Sequence, residues 1–411
     1  MRNIFCGLVI IVPALLLGGL SGTYVIGDQG GTAYSTFTQA ASALQSQGVS
    51  GPVTFNVLSG TYNEYFTLNS ISGTSATNTV TFQKYAGSTG DVTLSNTNAN
   101  SSYNYIIRLN NPDYVTFKNI TFDRSGATGS YGSIIRFDTG TSYITIDSCV
   151  FKGVDTNSSS TNYRIIYSYN YSQYNGVKIK NSTFTDGGNY AISLTASSSS
   201  PPTGLEITNN TFTNTYAGIY LKYYDAVTIR GNTIKGSYMV DYGIYLNYCD
   251  GANVIEDNYI YAPDMAHGIH LNYCQASSGN EATIVNNLIS VKDYGLYIST
   301  YNYYQNVYHN TVNVRDNYAL YSYYGSQYIT LKNNIFSSES NIPMFIYNSV
   351  TGLVSDYNNL YGLSSNQVYY SGYNTLAEWQ TAGFDTNSVS INPVYETDST
   401  LVPMTVALDN L

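Results

Sequence analysis

One short pattern repeats along most of this chain and constrains its fold more than any other feature. Its eight positions read apolar, any, apolar, any, Asn-like, Asn-like, any, apolar. The copies are VTFKNITF (115–122), ITIDSCVF (144–151), VKIKNSTF (177–184), LEITNNTF (205–212), VTIRGNTI (227–234), NVIEDNYI (253–260), ATIVNNLI (282–289), QNVYHNTV (305–312) and ITLKNNIF (329–336). A looser copy, VSDYNNLY (354–361), closes the series. Successive copies start 22 to 33 residues apart. A second short strand precedes many of them: AISL (191–194), GIYL (218–221), GIYL (243–246), GIHL (268–271), GLYI (295–298) and ALYS (319–322). Each alternates with period two, so one face is apolar and the other is not.

Two or three short strands per repeat, with no helical pattern between them, describe one coil of a parallel β-solenoid. A single coil cannot bury its apolar face, but stacked coils share one core. The repeat therefore overrides the chain length of 411 residues, which alone suggests two or three domains.

The Asn-like pair has a backbone reason. Its first position holds Asn119, Ser148, Asn181, Asn209, Gly231, Asp257, Asn286, His309 and Asn333. Ser148 apart, these types tolerate a left-handed backbone, so the chain turns there between strands. The second position holds Asn210, Asn232, Asn258, Asn287, Asn310 and Asn334 in successive coils. Stacked at the inter-strand spacing of ~4.8 Å, their amides can hydrogen-bond along the column. Asn119, Asn181 and Asn209 also match N-x-[ST], and are read as ladder residues rather than glycosylation sites.

Composition agrees with strands and narrows the partners. Tyr, at 45 residues beside 14 Phe and 1 Trp, dominates the aromatic content. Tyr, Thr, Val and Ile favour strands, and poverty in Leu, Lys and Glu argues against a helical protein. Only 16 Lys and Arg stand against 26 Asp and Glu, for a formal net charge of −10. So few cations make a poor binder of phosphate backbones, which argues against nucleic acid as a partner.

The N-terminus reads as a secretory signal, residues 1–21. Arg2 supplies the positive charge, residues 8–17 the apolar core, and Gly18, Gly19, Ser21 and Gly22 the small residues. Cys6 lies at the start of this segment rather than its cleavage end, which argues against a lipid anchor. No later run is long enough to span a bilayer. The expected protein is secreted or held at the cell surface.

The pairing of G-I-x-L with I-x-N-N-x-I, from about residue 105 to 361, resembles the secreted bacterial right-handed parallel β-helix repeat proteins of the pectin-lyase fold. PVTFNVLSGTYNEYFTL (52–68) is similar to the first coil of such proteins, and TLAEWQTAGFDTNSVSINPVY (375–395) to their C-terminal segment. The resemblance implies an all-β, right-handed parallel β-helix. About 10–12 coils are expected, with a cap and first coil at 22–68, the solenoid at 69–365 and a C-terminal cap at 366–411. A short helix over 36–47 is predicted to cover the first coil, with Thr36 and Gln39 as a capping box and Gly48 as its stop. A second capping box, Thr375 with Glu378, precedes Trp379 at the other end.

The family includes lyases, hydrolases, esterases and proteins with no known reaction, so activity must be argued from residues. In β-helical polygalacturonases the upstream strand faces the substrate cleft, and acidic residues precede motifs similar to G-I-x-I. Here Tyr190, Tyr242, His267, Tyr294 and Tyr318 stand at that place, and the acid pairs are absent. A weaker catalytic set remains: Asp241, His267 and Asp293 on three successive coils. Two rungs separate the carboxylates by ~9.6 Å, the upper limit for an inverting pair. The alternative is that all three are solvated turn residues. No cofactor is expected. No metal site is expected either, since His267 and His270, three apart on a strand, should point to opposite faces. Cys149 reads as a buried thiol in the ladder column. Cys249 and Cys274, in two copies of NYC one coil apart, are either a disulfide or two stacked thiols.

The main binding candidate is the outward position x of G-I-x-L: Tyr220, Tyr245, His270, Tyr297 and Tyr321, with Tyr347 as a sixth. Tyr joins a flat apolar face to a polar tip, which with the polar neighbours Lys222, Asn247 and Asn272 suits sugar rings and their hydroxyls. The alternative is a self-stacking ladder that only stabilises the solenoid. The expected function is non-catalytic recognition of an extracellular polysaccharide, or adhesion. A polysaccharide lyase or glycoside hydrolase using the same face is the alternative, and a structural surface component is the third reading.

Overall fold

A computed structural model describes residues 18–28, 32–98, 100–127, 129–405 and 408. Arg2, Cys6 and the apolar core of the expected signal lie outside these residues. The end of that expected segment, residue 21, falls inside the first strand, β1 (Leu20–Ile26), which pairs in parallel with Val49–Val57.

The chain winds as a right-handed parallel β-helix with three walls. One wall has 13 strands and the other two have 12 each, so the solenoid is slightly longer than the expected 10–12 coils. The 13-stranded wall carries the first half of the repeat and a 12-stranded wall its last residues. The other 12-stranded wall, called here the upstream wall, carries the G-I-x-L strands. Its pairing is in register from coil to coil: Ile219, Ile244 and Ile269 are partners, as are Tyr220, Tyr245 and His270.

Inward residues fill one continuous core. Phe55, Phe82 and Phe117 stack along the axis at 4.8 and 5.4 Å, and Phe122, Phe151, Phe184 and Phe212 at 5.0, 4.6 and 4.7 Å. Identical residues meet because parallel, in-register coils repeat every side chain one strand spacing further on.

The repeat's turn is as the sequence predicts. Asn119, Ser148, Asn181, Asn209, Asp257, Asn286, His309 and Asn333 have φ between 53° and 57°, and Gly231 has φ 65°. One residue later, the buried amides form a ladder. Nδ2 of Asn258 donates to Oδ1 of Asn287 at 3.0 Å and to the Ile229 carbonyl at 2.9 Å. The backbone N–H of Asn258 donates to the same Oδ1 at 3.0 Å. The ladder runs from Ser182 through Asn210 to Asn334 and continues to Asn358. In the looser last copy the ladder residue is thus one position early. Asn119, Asn181 and Asn209 belong to the exposed turn column, not to this inner ladder.

Both ends are capped. α1 (Phe37–Gln47) buries Phe37, Ala40, Ala41 and Leu44 over the first coil. Thr36 Oγ1 accepts from the Gln39 N–H at 3.1 Å, but the Gln39 side chain accepts from Ser35, so the expected box closes one residue earlier. Glu64 accepts from the N–H groups of Phe37 and Thr38 at 2.9 Å, placing a carboxylate at the positive end of the helix. α2 (Leu376–Thr381) has the predicted Thr375–Glu378 capping box, and its Trp379 is fully buried.

Candidate functional site

The outer face of the upstream wall gathers most of the residues singled out by the sequence. In each G-I-x-L strand, Ile and Leu are buried and x points outward. The outward column is, in register, Thr67, Arg108, Arg136, Tyr167, Ser193, Tyr220, Tyr245, His270, Tyr297, Tyr321, Phe345 and Tyr369. The expected five are all present. The sixth is Phe345, not Tyr347, because the strand Met344–Ile346 pairs Phe345 with Tyr321.

The residue before each Gly lies on this same face, which corrects the expectation for His267 and His270. Their ring centroids are 5.4 Å apart with an interplanar angle of 20°. Strict alternation fails at the glycine. A Cβ at Gly268 would stand 2.6 Å from the Gly295 carbonyl oxygen of the next coil and 2.5 Å from Ile289, so the backbone itself packs there. Residues three apart across Gly268 therefore emerge side by side.

The result is two interleaved aromatic columns. The first contains Tyr190, Tyr242, His267, Tyr294 and Tyr318. His267 is 5.4 Å from His270 and 5.5 Å from Tyr297. Tyr294 is 5.3 Å from Tyr297 and 5.4 Å from Tyr321. Each ring of the first column thus sits level with the gap between two rings of the second. His270 lies 4.4 Å from both Tyr245 and Tyr297, at interplanar angles of 3° and 13°. Ring faces in the middle of this wall are consumed by one another, and ring edges and hydroxyls are what remain for solvent.

Burial dominates the electrostatics. It lowers His267 to about 4 and His270 to about 3, so both imidazoles are neutral near pH 7. Nδ1 of His267 and both ring nitrogens of His270 are buried without a hydrogen-bond partner. Burial raises Asp241 to about 6. Tyr242 and Tyr321 are pushed up to about 12, first by burial and then by neighbouring charges.

The weak catalytic set is aligned but not joined. The His267 N–H donates to the Asp241 carbonyl at 2.9 Å, and Tyr294 N–H to the Ala266 carbonyl at 2.8 Å, so the two acids flank Ala266 one rung to either side. Asp293 accepts from Asn317 at 3.0 Å and lies 3.9 Å from Lys292. The His267 ring is held between Tyr242 and Tyr294, at 4.7 and 5.2 Å.

Two columns flank the outward one: a polar line, of which the sequence indicated Lys222, Asn247 and Asn272, and a turn column of tyrosines that it did not indicate. Two residues after x run Asp138, Tyr169, Thr195, Lys222, Asn247, Asn272, Ser299, Tyr323 and Tyr347, a mainly polar line. Asn272 Nδ2 donates to Asn247 Oδ1 at 3.0 Å, and Ser299 Oγ to Asn272 Oδ1 at 2.7 Å. Next to it, at the turn, stand Tyr223, Tyr248, Tyr273 and Tyr301, each with positive φ, joined by Tyr324. Tyr248 and Tyr273 stack at 4.6 Å and 7°. A left-handed backbone is rare for bulky residues, and ring stacking between coils offsets it. The tandem Asn-Tyr-Cys copies carried this signal. A polar strip thus runs between two aromatic columns. Tyr347 and Tyr369, 51% and 37% exposed, leave ring surface open at the C-terminal end.

The cysteines resolve as thiols. Cys149, Cys249 and Cys274 are free and buried. Cys249 and Cys274 occupy adjacent coils, yet Cys249 Sγ donates to Leu221 O and Cys274 Sγ to Leu246 O, both at 3.5 Å. In-register Cβ atoms point the same way and keep the rung spacing of ~4.8 Å, beyond the usual disulfide Cβ separation of about 3.8 Å.

The model of one protein family, the periplasmic copper-binding protein NosD, matches residues 45–260, 125–322 and 202–395. The chain belongs to the NosD family. No curated protein matches it significantly. Among solved structures, the GH136 lacto-N-biosidase from Eubacterium ramulus is 11% identical with a TM-score of 0.52, covering 85% of this chain and 68% of its own. The Dettilon tailspike protein is 14% identical with a TM-score of 0.54, covering 81% of this chain and 64% of its own. At such identities these likenesses show the fold alone, and this chain spans about two thirds of each structure's length.

The family's description raises copper, and the donors can be tested against it. Among the described residues there is no group of three or more His, Cys, Asp or Glu able to hold a metal ion. Two imidazoles sharing an ion must aim lone pairs at one point lying in both ring planes. The near-parallel, staggered planes of His267 and His270 have no such point between them. Burial pushes the Cys274 thiol up to about 12 and Cys249 well above its ordinary value, away from the thiolate a metal needs. The residues described here do not fit a copper ion. No helix among them is long and apolar enough to cross a membrane.

Proposed function

We propose that this NosD-family chain is an exported, non-catalytic β-helix that holds an extracellular polysaccharide along the outer face of its upstream wall. The observation that carries this is the polar line of Lys222, Asn247, Asn272 and Ser299 running between two aromatic columns over successive coils. Such a strip offers hydroxyl-matching donors and acceptors with apolar edges on both sides, repeated at ~4.8 Å along one direction. A linear polymer of repeating sugars is the ligand whose symmetry matches it.

The interleaving assigns roles within the strip. Tyr220, Tyr245, His270, Tyr297 and Tyr321 form the wall and present edges and hydroxyls. Tyr324, Tyr347 and Tyr369 supply the more open ring surfaces on which a pyranose face can lie. Large exposed aromatic patches mark interaction sites, and these residues form one.

The test is retention on a panel of immobilised polysaccharides, scored together with release of reducing or unsaturated ends. Retention without release supports the reading, and absence of retention across the panel overturns it. Release of chain ends would instead favour a glycoside hydrolase. Asp241 would then be the acid, since burial raises its carboxyl to about 6. Its loss on Asp241→Asn would identify that activity.

A further inference from the structure

The strip is not uniform along its length, and its N-terminal end differs in charge from the rest. At the first and second positions of the outward column from Tyr167 toward the N-terminus the aromatic rings give way to Arg136 and Arg108, which are in-register partners. Both lean on one carboxylate: Arg108 Nε lies 2.5 Å and Arg136 Nε 2.6 Å from Asp138, whose side chain is 2% exposed. A third guanidinium, Arg164, sits 4.5 Å over the ring of Tyr167, the next residue of the column. Arg164 donates its Nε to the Thr161 carbonyl at 2.9 Å and has no acidic partner among the described residues. Two cations thus share one anion and a third has none, in a chain whose formal net charge is −10.

Hydrogen-bonding capacity is left over. Among the described residues, both terminal amino groups of Arg108 and of Arg164, and one of Arg136, make no hydrogen bond. Arg136, 15% exposed, lies 3.5 Å over the ring of Tyr169, and the cluster reaches solvent through Arg108, 35% exposed. Tyr167 donates its hydroxyl to the Asn104 carbonyl, and the Asn104 side chain in turn holds Arg124, which is fully buried, bonded also to the Ser133 and Asn96 carbonyls, and again without a carboxylate. An unpaired buried cation adds positive potential at the surface above it. Several other cations pair one to one, Lys178 with Glu206 at 2.7 Å, Arg230 with Glu256 at 2.5 Å and Lys152 with Asp123 at 3.7 Å, while Lys118 and Lys180 share Asp147 at 4.0 and 3.7 Å.

We infer that Arg108, Arg136 and Arg164 form a seat for an anionic substituent, a carboxylate or a sulfate ester, carried by the polysaccharide that lies along the strip. This rests on the reading of the strip as a polysaccharide site. Guanidinium forks match the paired oxygens of either group, and Asp138 fixes two of the three forks in place. The seat also gives the strip a direction, with charge read at the Arg end and ring faces met at the Tyr347 and Tyr369 end.

The experiment measures affinity of the intact chain for four soluble polymers: a polyuronate, the same polymer with its carboxyls reduced to alcohols, a sulfated galactan and a neutral galactan. Arg164→Gln and the double variant Arg108→Gln/Arg164→Gln are compared with the parent. Arg164 stands outside the ion pair, so its single variant keeps the Asp138 bridge intact. Each lost charge-assisted contact should cost about tenfold in affinity for the anionic polymer and lower its salt dependence, with affinity for neutral polymers unchanged. Preference for the polyuronate that vanishes on carboxyl reduction identifies carboxylate, and preference for the sulfated over the neutral galactan identifies sulfate. Equal affinity for neutral and anionic polymers, or variants that bind anionic polymers like the parent, would overturn the seat and leave the strip standing. Failure to bind any of the four would overturn both.

Discussion

Acid should weaken this protein through its stacked imidazoles, and the size of the effect follows from their burial. In the unfolded chain His267 and His270 take up a proton near ~6.5. In the folded chain burial holds them down to about 4 and about 3. Between those values the unfolded state binds more protons, so stability rises with pH there and is lost as pH falls through ~6.5 toward the folded values. At about pH 5 each histidine has moved 1.5 units below ~6.5, at about 1.4 kcal/mol per unit, which is about 2 kcal/mol each and about 4 kcal/mol for the pair. Asp241 works in the opposite direction, because burial raises its carboxyl to about 6 and the folded state then gains a proton first.

The comparison that isolates the histidines is His267→Phe/His270→Phe. Phenylalanine is accepted by this column, since Phe345 already stacks on Tyr369 at 4.4 Å. Carboxylates are common to parent and variant, so their contributions cancel. Urea unfolding of both proteins at about pH 7 and about pH 5 should show the parent losing about 4 kcal/mol more than the variant. Equal losses, within about 1 kcal/mol, would mean that the imidazoles ionise in the folded wall, and the argument from burial would fail.

Further outcomes test other parts of the structure. Asn287→Ala removes the acceptor of both Asn258 N–H and Asn258 Nδ2, each at 3.0 Å, and should cost about 3 kcal/mol by denaturant titration. Cys249 and Cys274 should resist a thiol reagent in the folded protein and react after unfolding without reductant; a non-reduced mass two hydrogens light would show a disulfide instead. Tyr347→Ala/Tyr369→Ala should weaken polysaccharide retention with little change in Tm, whereas Tyr245→Ala/Tyr297→Ala, which opens the stack around His270, should lower Tm first. Calorimetric titration with copper should find no tight site in the folded chain, and stoichiometric tight binding would refute the donor geometry argued above.

The repeat makes most of the fold legible in the sequence. Apolar positions at period two set the walls, and residues tolerant of a left-handed backbone set the turns. Buried Asn at a constant offset set the ladder, because a parallel solenoid repeats local chemistry coil after coil. Thr36, Gly48 and Thr375 likewise marked the caps through local hydrogen bonds. What local chemistry cannot state is how neighbouring columns meet. Alternation placed His267 and His270 on opposite faces, and only the close backbone packing at Gly268 shows why they emerge together. Spacing put Cys249 and Cys274 on adjacent coils, but the parallel direction of their Cβ bonds keeps them thiols. The excess of tyrosine named a surface; the half-rung stagger of two columns decided that most of its rings face one another. Sequence also could not bring Arg108, Arg136 and Arg164 to one end of that surface, because charges separated by a coil of 28 residues become neighbours only when the coils stack.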